Sequence, residues 1–265
     1  MVRQVSSVTV TDRQTAPPIG TSVRMTGVSK VFGRGASAVS ALDDVSLEVA
    51  PGEFTCLIGA SGCGKSTLLS LVAGLEEPTV GKVSTSGGRV AFMFQEAALF
   101  PWLTAAGNVE MAFRANGVGK AERRQRTAEL LETVHLAGFG DKRPHELSGG
   151  MRQRVALARA LAQDADVLLM DEPFGALDAM TRDVLHDELD RICAARQLTV
   201  IFVTHNVREA VRLGDRVVVL SSRPGRVIDE FAVPIEKPRR IDSAPVAELA
   251  AKITDRLREE MSRVG

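Results

Sequence analysis

The sequence predicts an α/β fold: a core built around a phosphate loop, an antiparallel β-subdomain beside it and an inserted α-helical subdomain. Three observations carry this. Short apolar runs at Phe54–Ile58, Val90–Phe94, Ala165–Met170 and Leu198–Val203 alternate with helical stretches, as in a buried sheet of βα units. The first run leads into Gly59-Ala60-Ser61-Gly62-Cys63-Gly64-Lys65-Ser66, which fits G-x-x-x-x-G-K-[ST]. The segment from 96 to 164, between the second and third runs, is mostly helical in pattern.

The phosphate loop has the right context on both sides. A strand precedes it, and Ser66 to Gly74 reads as a helix stopped by glycine. Glycines let the backbone curl so that its N–H groups converge on phosphate oxygens, and the helix dipole adds positive potential. Lys65 supplies a point charge for the β- and γ-phosphates, the Ser66 hydroxyl is placed for Mg²⁺, and Thr67 follows in the first turn. Four fixed positions co-occur by chance in roughly one chain of this length in a hundred. The strand–loop–helix setting lowers that further, so nucleoside triphosphate binding is expected.

Composition narrows the partners. The 265 residues carry 33 Lys+Arg and 33 Asp+Glu, and this balance argues against a partner held mainly by charge, such as duplex nucleic acid. Cys56, Cys63 and Cys193 lack metal-ligand spacing and suggest a reducing compartment. Cys63 either fills a small-residue position in the loop or reacts with thiol reagents, and the first is favoured. No apolar run approaches the roughly 18 residues that span a bilayer. The first residues carry no apolar signal-peptide core, so a chain soluble by itself is expected.

Residues 1 to 20, rich in Ser, Thr, Gln and Pro, read as a disordered leader. Val23–Val28, Val39–Leu42 and Val45–Val49 are β-rich runs separated by turn signals at Gly33-Arg34-Gly35 and Pro51-Gly52. They predict the antiparallel sheet. Phe32 is either a core residue or a ring that stacks on a base. Residues 80 to 90 predict a hairpin, and the Val90–Phe94 strand ends at Gln95, either a ligand-contacting group of the kind open α/β sheets place there or an ordinary loop-opening Gln. Leu99–Leu103, with Trp102, is either core or an exposed docking patch.

Ser148 predicts an N-cap for a helix reaching Leu161 with an apolar stripe at Met151, Val155, Ala158 and Leu161. Gly149 and Gly150, next in line, leave the helix N-terminus open to close approach, either as a second anion site or as a flexible helix start. Asp171-Glu172 ends a buried strand. Adjacent carboxylates there repel and lose hydration unless a cation offsets them, and Mg²⁺ beside a triphosphate does so. Asp171 is the expected metal group and Glu172 the general base. Of four histidines only His205 follows a core strand, where it could touch a γ-phosphate. The chain ends in a hairpin over Arg226–Val233 and an amphipathic helix carrying Val246, Leu249, Ile253, Leu257 and Met261.

The ordered set (phosphate loop, Gln95, Leu147-Ser148-Gly149-Gly150, Leu169-Met170-Asp171-Glu172, Leu177-Asp178 and His205) resembles the full motif series of the ATP-binding cassette (ABC) ATPases, over residues 22 to about 221. Phe94-Gln95-Glu96, Leu99–Thr104 and Met170–Asp178 look like the importer ATPases for nitrate, sulfonates or taurine. Asn206, Ala97-Ala98, Gly175 and Phe32 depart from the usual pattern without touching the chemistry. The resemblance implies a RecA-like core in an ATPase domain over 21–221, with a C-terminal hairpin and helix over 222–265. It implies ATP with Mg²⁺ held by Ser66, Gln95 and Asp171, and catalysis by Glu172, His205, Lys65 and Gln95. Phe32, Gly59 to Thr67, Ser148, Gly149, Gly150 and Asp178 are the implied nucleotide-binding positions, with Asp178 coupling two sites. The implied partners are a second copy in a head-to-tail homodimer, integral membrane permease subunits and, indirectly, a solute-binding protein; nucleic acid is not expected. The implied location is the inner face of the cell membrane. The competing readings are the ATPase subunit of a separate-subunit exporter or lipid-trafficking system, a soluble non-transport cassette ATPase and a small-molecule kinase.

Overall fold

In the computed structural model, residues 20–264 are described. The leader expected over 1 to 20 lies outside them, apart from Gly20. Nine strands fall into two sheets among the described residues. The first is antiparallel, in the order β2-β1-β4: β1 (Val23–Phe32), β2 (Val39–Val49) and β4 (Val80–Thr85). The second runs β5-β6-β7-β3-β8-β9, with β3 (Phe54–Ile58), β5 (Val90–Met93), β6 (Val167–Asp171), β7 (Thr199–Val203), β8 (Arg216–Leu220) and β9 (Val227–Ala232). Its first five strands are parallel, and β9 closes the edge antiparallel to β8.

The parallel strands have continuous apolar sequences because both faces are covered. Phe54, Cys56 and Ile58 of β3, with Leu168 and Met170 of β6, face one core. Leu57 of β3, with Val167 and Leu169 of β6, face the other. The antiparallel sheet and α1 (Lys65–Val72) cover the second face through Val28, Leu42, Val45, Leu68 and Leu69. The first face is covered by α2 (Ala105–Ala115), α3 (Lys120–Thr133), α4 (Gly149–Leu161), α5 (Ala179–Arg196), α6 (Val207–Leu213) and α7 (Ala244–Val264). Helices α2, α3 and α4 pack on one another, and α4 also leans on β5.

Three expectations are corrected. The Arg226–Val233 run forms no hairpin of its own but holds the single strand β9, whose pairing partner is β8. Residues 80 to 90 form no hairpin. β4 pairs with β1, with Val83 opposite Met25, whereas β5 pairs with β6, with Val90 opposite Val167. Ser86-Gly87-Gly88 carries the chain from one sheet to the other. Gly88 allows this crossing because a Cβ there would lie 2.1 Å from the Thr21 hydroxyl. The runs at 39–42 and 45–49 are one strand, in which Asp44 takes a left-handed φ of 50°.

The tail is tied to the core. Val246, Ala250 and Ile253 of α7 are buried, and α7 packs on α6. The buried Arg239 guanidinium donates to the carbonyls of Ile235, Val211, Gly214 and Val233. It thereby satisfies acceptors that the C-terminus of α6 cannot pair internally.

Candidate nucleotide site

The phosphate loop spans the gap between β3 and α1. Gly62 and Gly64 take φ values of 74° and 105°, which only glycine adopts without strain. Gly64 has a second constraint: a Cβ would lie 2.7 Å from both the Ala41 carbonyl and the Leu42 side chain. Gly59 is boxed in by Cys63 Sγ and the Leu220 carbonyl at 2.9 and 3.0 Å from the same added atom. Cys63 is buried beneath the loop, so it fills a small-residue position and presents no accessible thiol.

Lys65 Nζ donates to the carbonyls of Gly59 and Ala60 at 2.9 Å each and lies 3.8 Å from Cys63 Sγ. The ammonium sits inside its own loop, while Ser61, Gly62 and Ser66 are exposed and Thr67 is half-buried.

The strand register assembles the rest. β5, β6, β7 and β3 end on one edge, so Gln95, Asp171-Glu172, Thr204-His205 and the phosphate loop share it. Asp171 is buried, and burial pushes its carboxyl above the ordinary value. A hydrogen bond from the Ser66 hydroxyl and the Lys65 charge oppose that rise; the Glu172 charge adds to it. Glu172 follows at a left-handed φ of 44°, its N–H donating to the Val203 carbonyl. Its Oε2 lies 3.2 Å from Nδ1 of His205, a side chain that is 70% exposed.

Among the described residues no group of three or more His, Cys, Asp and Glu could hold a metal. The donor set nonetheless fits Mg²⁺, which takes one or two carboxylates with substrate phosphates rather than an all-protein cage. Asp171 lies close enough to Ser66 for the hydroxyl to favour its charged form. Gln95 is exposed, and its main-chain carbonyl accepts from Gln153 Nε2 of α4 at 2.5 Å.

The remaining candidates lie elsewhere. Phe32 is 39% exposed at the end of β1, with Lys30 Nζ 4.8 Å from its ring centroid, so it belongs to a surface and not to the core. Ser148 caps α4, its hydroxyl accepting from Met151 N at 3.2 Å. Gly150 sits against Leu177 so closely that a Cβ would lie 2.8 Å from Leu177 Cδ2. α4 packs with α2, α3 and β5, and α1 packs with β2, β4, β6 and β7, so the two helix N-termini belong to different layers. Asp178 caps α5, accepting from the Thr181 N–H and hydroxyl, and these bonds hold its carboxyl below the ordinary value. Trp102 is 68% exposed and pairs with Phe100 at 5.4 Å, beside a groove of about 670 Å³ lined by Phe92, Phe94, Phe100, Met111 and Arg159. That resolves the Leu99–Leu103 stretch: its aromatic end lies on the surface.

Sequence reasoning missed two features. Arg223 Nε donates to the Gly62 carbonyl at 3.2 Å from a turn that is pressed on the loop, since a Cβ on Gly225 would lie 2.1 Å from the Cys63 carbonyl. The Pro224-Gly225 turn signal was the only cue in the sequence. The second feature is a buried polar cluster behind His205, formed by His186, Glu209 and Arg212. Its members are 23 and 26 residues apart, on two helices, so spacing gives no sign of it.

Comparison with known proteins places this geometry. Residues 42–175 match the family described as ABC transporter. The chain is 46% identical over 236 residues to the aliphatic sulfonates import ATP-binding protein SsuB 1 of Mesorhizobium japonicum, covering 87% of this chain and 86% of that protein. It is 44% identical over 218 residues to the nitrate import ATP-binding protein NrtD of Synechocystis, covering 80% and 82%. A dimeric structure of the ATP-binding cassette MJ0796 in a post-hydrolysis state, bound to ADP and Pi, superposes with a TM-score of 0.75 at 33% identity. That match covers 81% of this chain and all of the other. With a phosphate loop, a carboxylate pair and a histidine on one sheet edge, and with these relatives, the chain belongs to the ABC transporter family as an ATP-binding subunit that hydrolyses ATP coupled to transport.

Proposed function

We propose that the chain energises an importer for nitrate, a sulfonate, taurine or a similar small solute. It would work as a head-to-tail dimer of two copies on the inner face of the cell membrane. The observation that carries the dimer is the separation of two anion-binding elements. The phosphate loop opens α1 and the Ser148-Gly149-Gly150 element opens α4, in different layers of the fold. One copy thus offers each element to a different neighbour, and two copies arranged head to tail would close two composite sites. The import roles of the relatives SsuB 1 and NrtD support the solute class.

In this reading the loop N–H groups from Gly59 to Thr67 hold the phosphates and Lys65 exchanges its carbonyl partners for phosphate oxygens. Phe32 stacks on the adenine. Ser66, Asp171 and Gln95 would hold Mg²⁺, which would supply charge neutralisation at the phosphate oxygens. Glu172 accepts the proton of the attacking water as its oxygen bonds to the γ-phosphorus, and the bond to the β–γ bridging oxygen breaks toward ADP. His205, oriented by Glu172, contacts the γ-phosphate. Ser148, Gly149 and Gly150 of the second copy face the same phosphate, and Asp178 links the two sites. The Trp102 surface receives a permease subunit.

Two measurements test this. Purified protein with ATP and Mg²⁺ should run as a dimer on a sizing column when hydrolysis is blocked, and as a monomer without nucleotide. A deletion strain should lose growth on nitrate, taurine or an alkanesulfonate as sole nitrogen or sulfur source. Growth on all of them refutes the solute class, and a monomer under blocked turnover refutes the dimer.

A further inference from the structure

We propose that His186 is a positioning residue for His205, acting through a buried chain of hydrogen bonds that runs from Arg212 through His186 and Glu209 to Thr204. The proposal rests on His205 acting at the γ-phosphate, as above.

The chain has a direction fixed by chemistry. Arg212 Nη1 lies 2.9 Å from His186 Nδ1. A guanidinium has only donors, so Nδ1 accepts and the ring proton of this pairing sits on Nε2. Nε2 lies 2.8 Å from Glu209 Oε1 and donates to it. The other Glu209 oxygen, Oε2, accepts from the Thr204 hydroxyl. That hydroxyl in turn accepts from the Asn206 N–H at 3.0 Å. Asn206 Oδ1 caps α6, accepting from the N–H groups of Arg208 and Glu209. The residues on both sides of His205 are therefore referenced to one carboxylate.

The cluster is dry. His186 is fully buried, and Thr204, Glu209 and Arg212 are nearly so. The Phe174 ring covers the imidazole edge-on at 5.0 Å. Arg212 is anchored by Asp183 and Asp187 of α5 at 2.7 Å each. A buried carboxylate stays in place while its partners do, and losing one leaves charge uncompensated. His205, by contrast, is mostly exposed and among the described residues has one side-chain partner, Glu172. That single contact leaves the ring free to swing, so its aim depends also on the backbone that Thr204 and Asn206 fix. A misplacement of about 1 Å in such a group costs roughly 100-fold in rate.

The test uses the full chain with ATP and Mg²⁺. His186→Leu should lower kcat at least about tenfold while ATP affinity stays within about twofold. His186→Gln, whose amide can both accept from Arg212 and donate to Glu209, should recover most of that loss. In a His205→Ala background, His186→Leu should cause no further loss, since both act at one point. Thr204→Val removes the hydroxyl with little change in shape, and it should reproduce the His186→Leu phenotype even where the leucine variant folds poorly. Equal fractional losses in both backgrounds, or unchanged kcat in Thr204→Val, overturn the proposal. Wild-type turnover in His205→Ala overturns it too and marks the γ-phosphate reading as the point of failure.

Discussion

Nδ1 of His205 lies 3.2 Å from Oε2 of Glu172, across 33 residues of sequence. The contact follows from the sheet. Asp171 pairs with Val203 in adjacent parallel strands, so the residues just past each strand meet. Glu172 reaches this position through a left-handed backbone, a conformation that costs about 1–3 kcal/mol in a residue other than glycine.

Glu172→Gln keeps the size and shape of the side chain but cannot take a proton from water. Turnover should fall at least about 100-fold, with ATP still bound. The variant should then accumulate as an ATP-bound dimer, read by light scattering on a sizing column. Wild-type turnover would remove Glu172 from the general-base role.

Lys65→Ala removes the one ammonium inside the phosphate loop and leaves the Gly59 and Ala60 carbonyls without their shared donor. ATP binding, followed with a fluorescent nucleotide, should be lost. Undiminished affinity would refute the loop's role.

Gly225→Ala pushes a methyl group to 2.1 Å from the Cys63 carbonyl. The turn carrying Arg223 and the phosphate loop cannot both keep their places. Overpacking of this kind costs about 1–3 kcal/mol, so the melting midpoint should drop by several degrees. ATP affinity should fall with it.

Trp102→Ala should weaken capture of the membrane subunit at least about tenfold while leaving ATP affinity within about twofold, because the indole is exposed beside an apolar groove. Co-purification against nucleotide titration separates the two effects. The reverse pattern would return Trp102 to a structural role.

All three cysteines are buried. Burial pushes the Cys193 thiol up to about 12 and raises Cys56 well above its ordinary value. Thiolate is the reactive form, so a thiol reagent at pH 8 should label the native protein slowly and the denatured protein at three sites. Rapid labelling of the native chain would contradict this burial.

The core strands could be read directly because β3, β6, β7 and β8 are covered on both faces, which leaves uninterrupted apolar runs. The phosphate loop, Asp171-Glu172 and His205 could be named because each stands at the end of such a run. The 80–90 segment could not be read correctly: a glycine-rich turn between two strands looks the same whether they pair or join different sheets. Phe32 and Trp102 left two readings open, because an aromatic side chain carries no mark of which way it faces. The His186 cluster was invisible for a different reason. Its three members are brought together only when α5 and α6 dock, and pair spacing along the chain does not encode that.

Arg239 has a consequence for how the molecule opens. A cation buried among the carbonyls of the α6 end cannot be released without leaving several acceptors unpaired in an apolar setting. The segment that leads into the last helix is therefore pinned to the end of α6, and α7 packs on α6 just beyond it. In native-state hydrogen exchange, the inner-face amides of α7, around Val246 and Ile253, should exchange together with those of α6, in one cooperative unit with the central sheet.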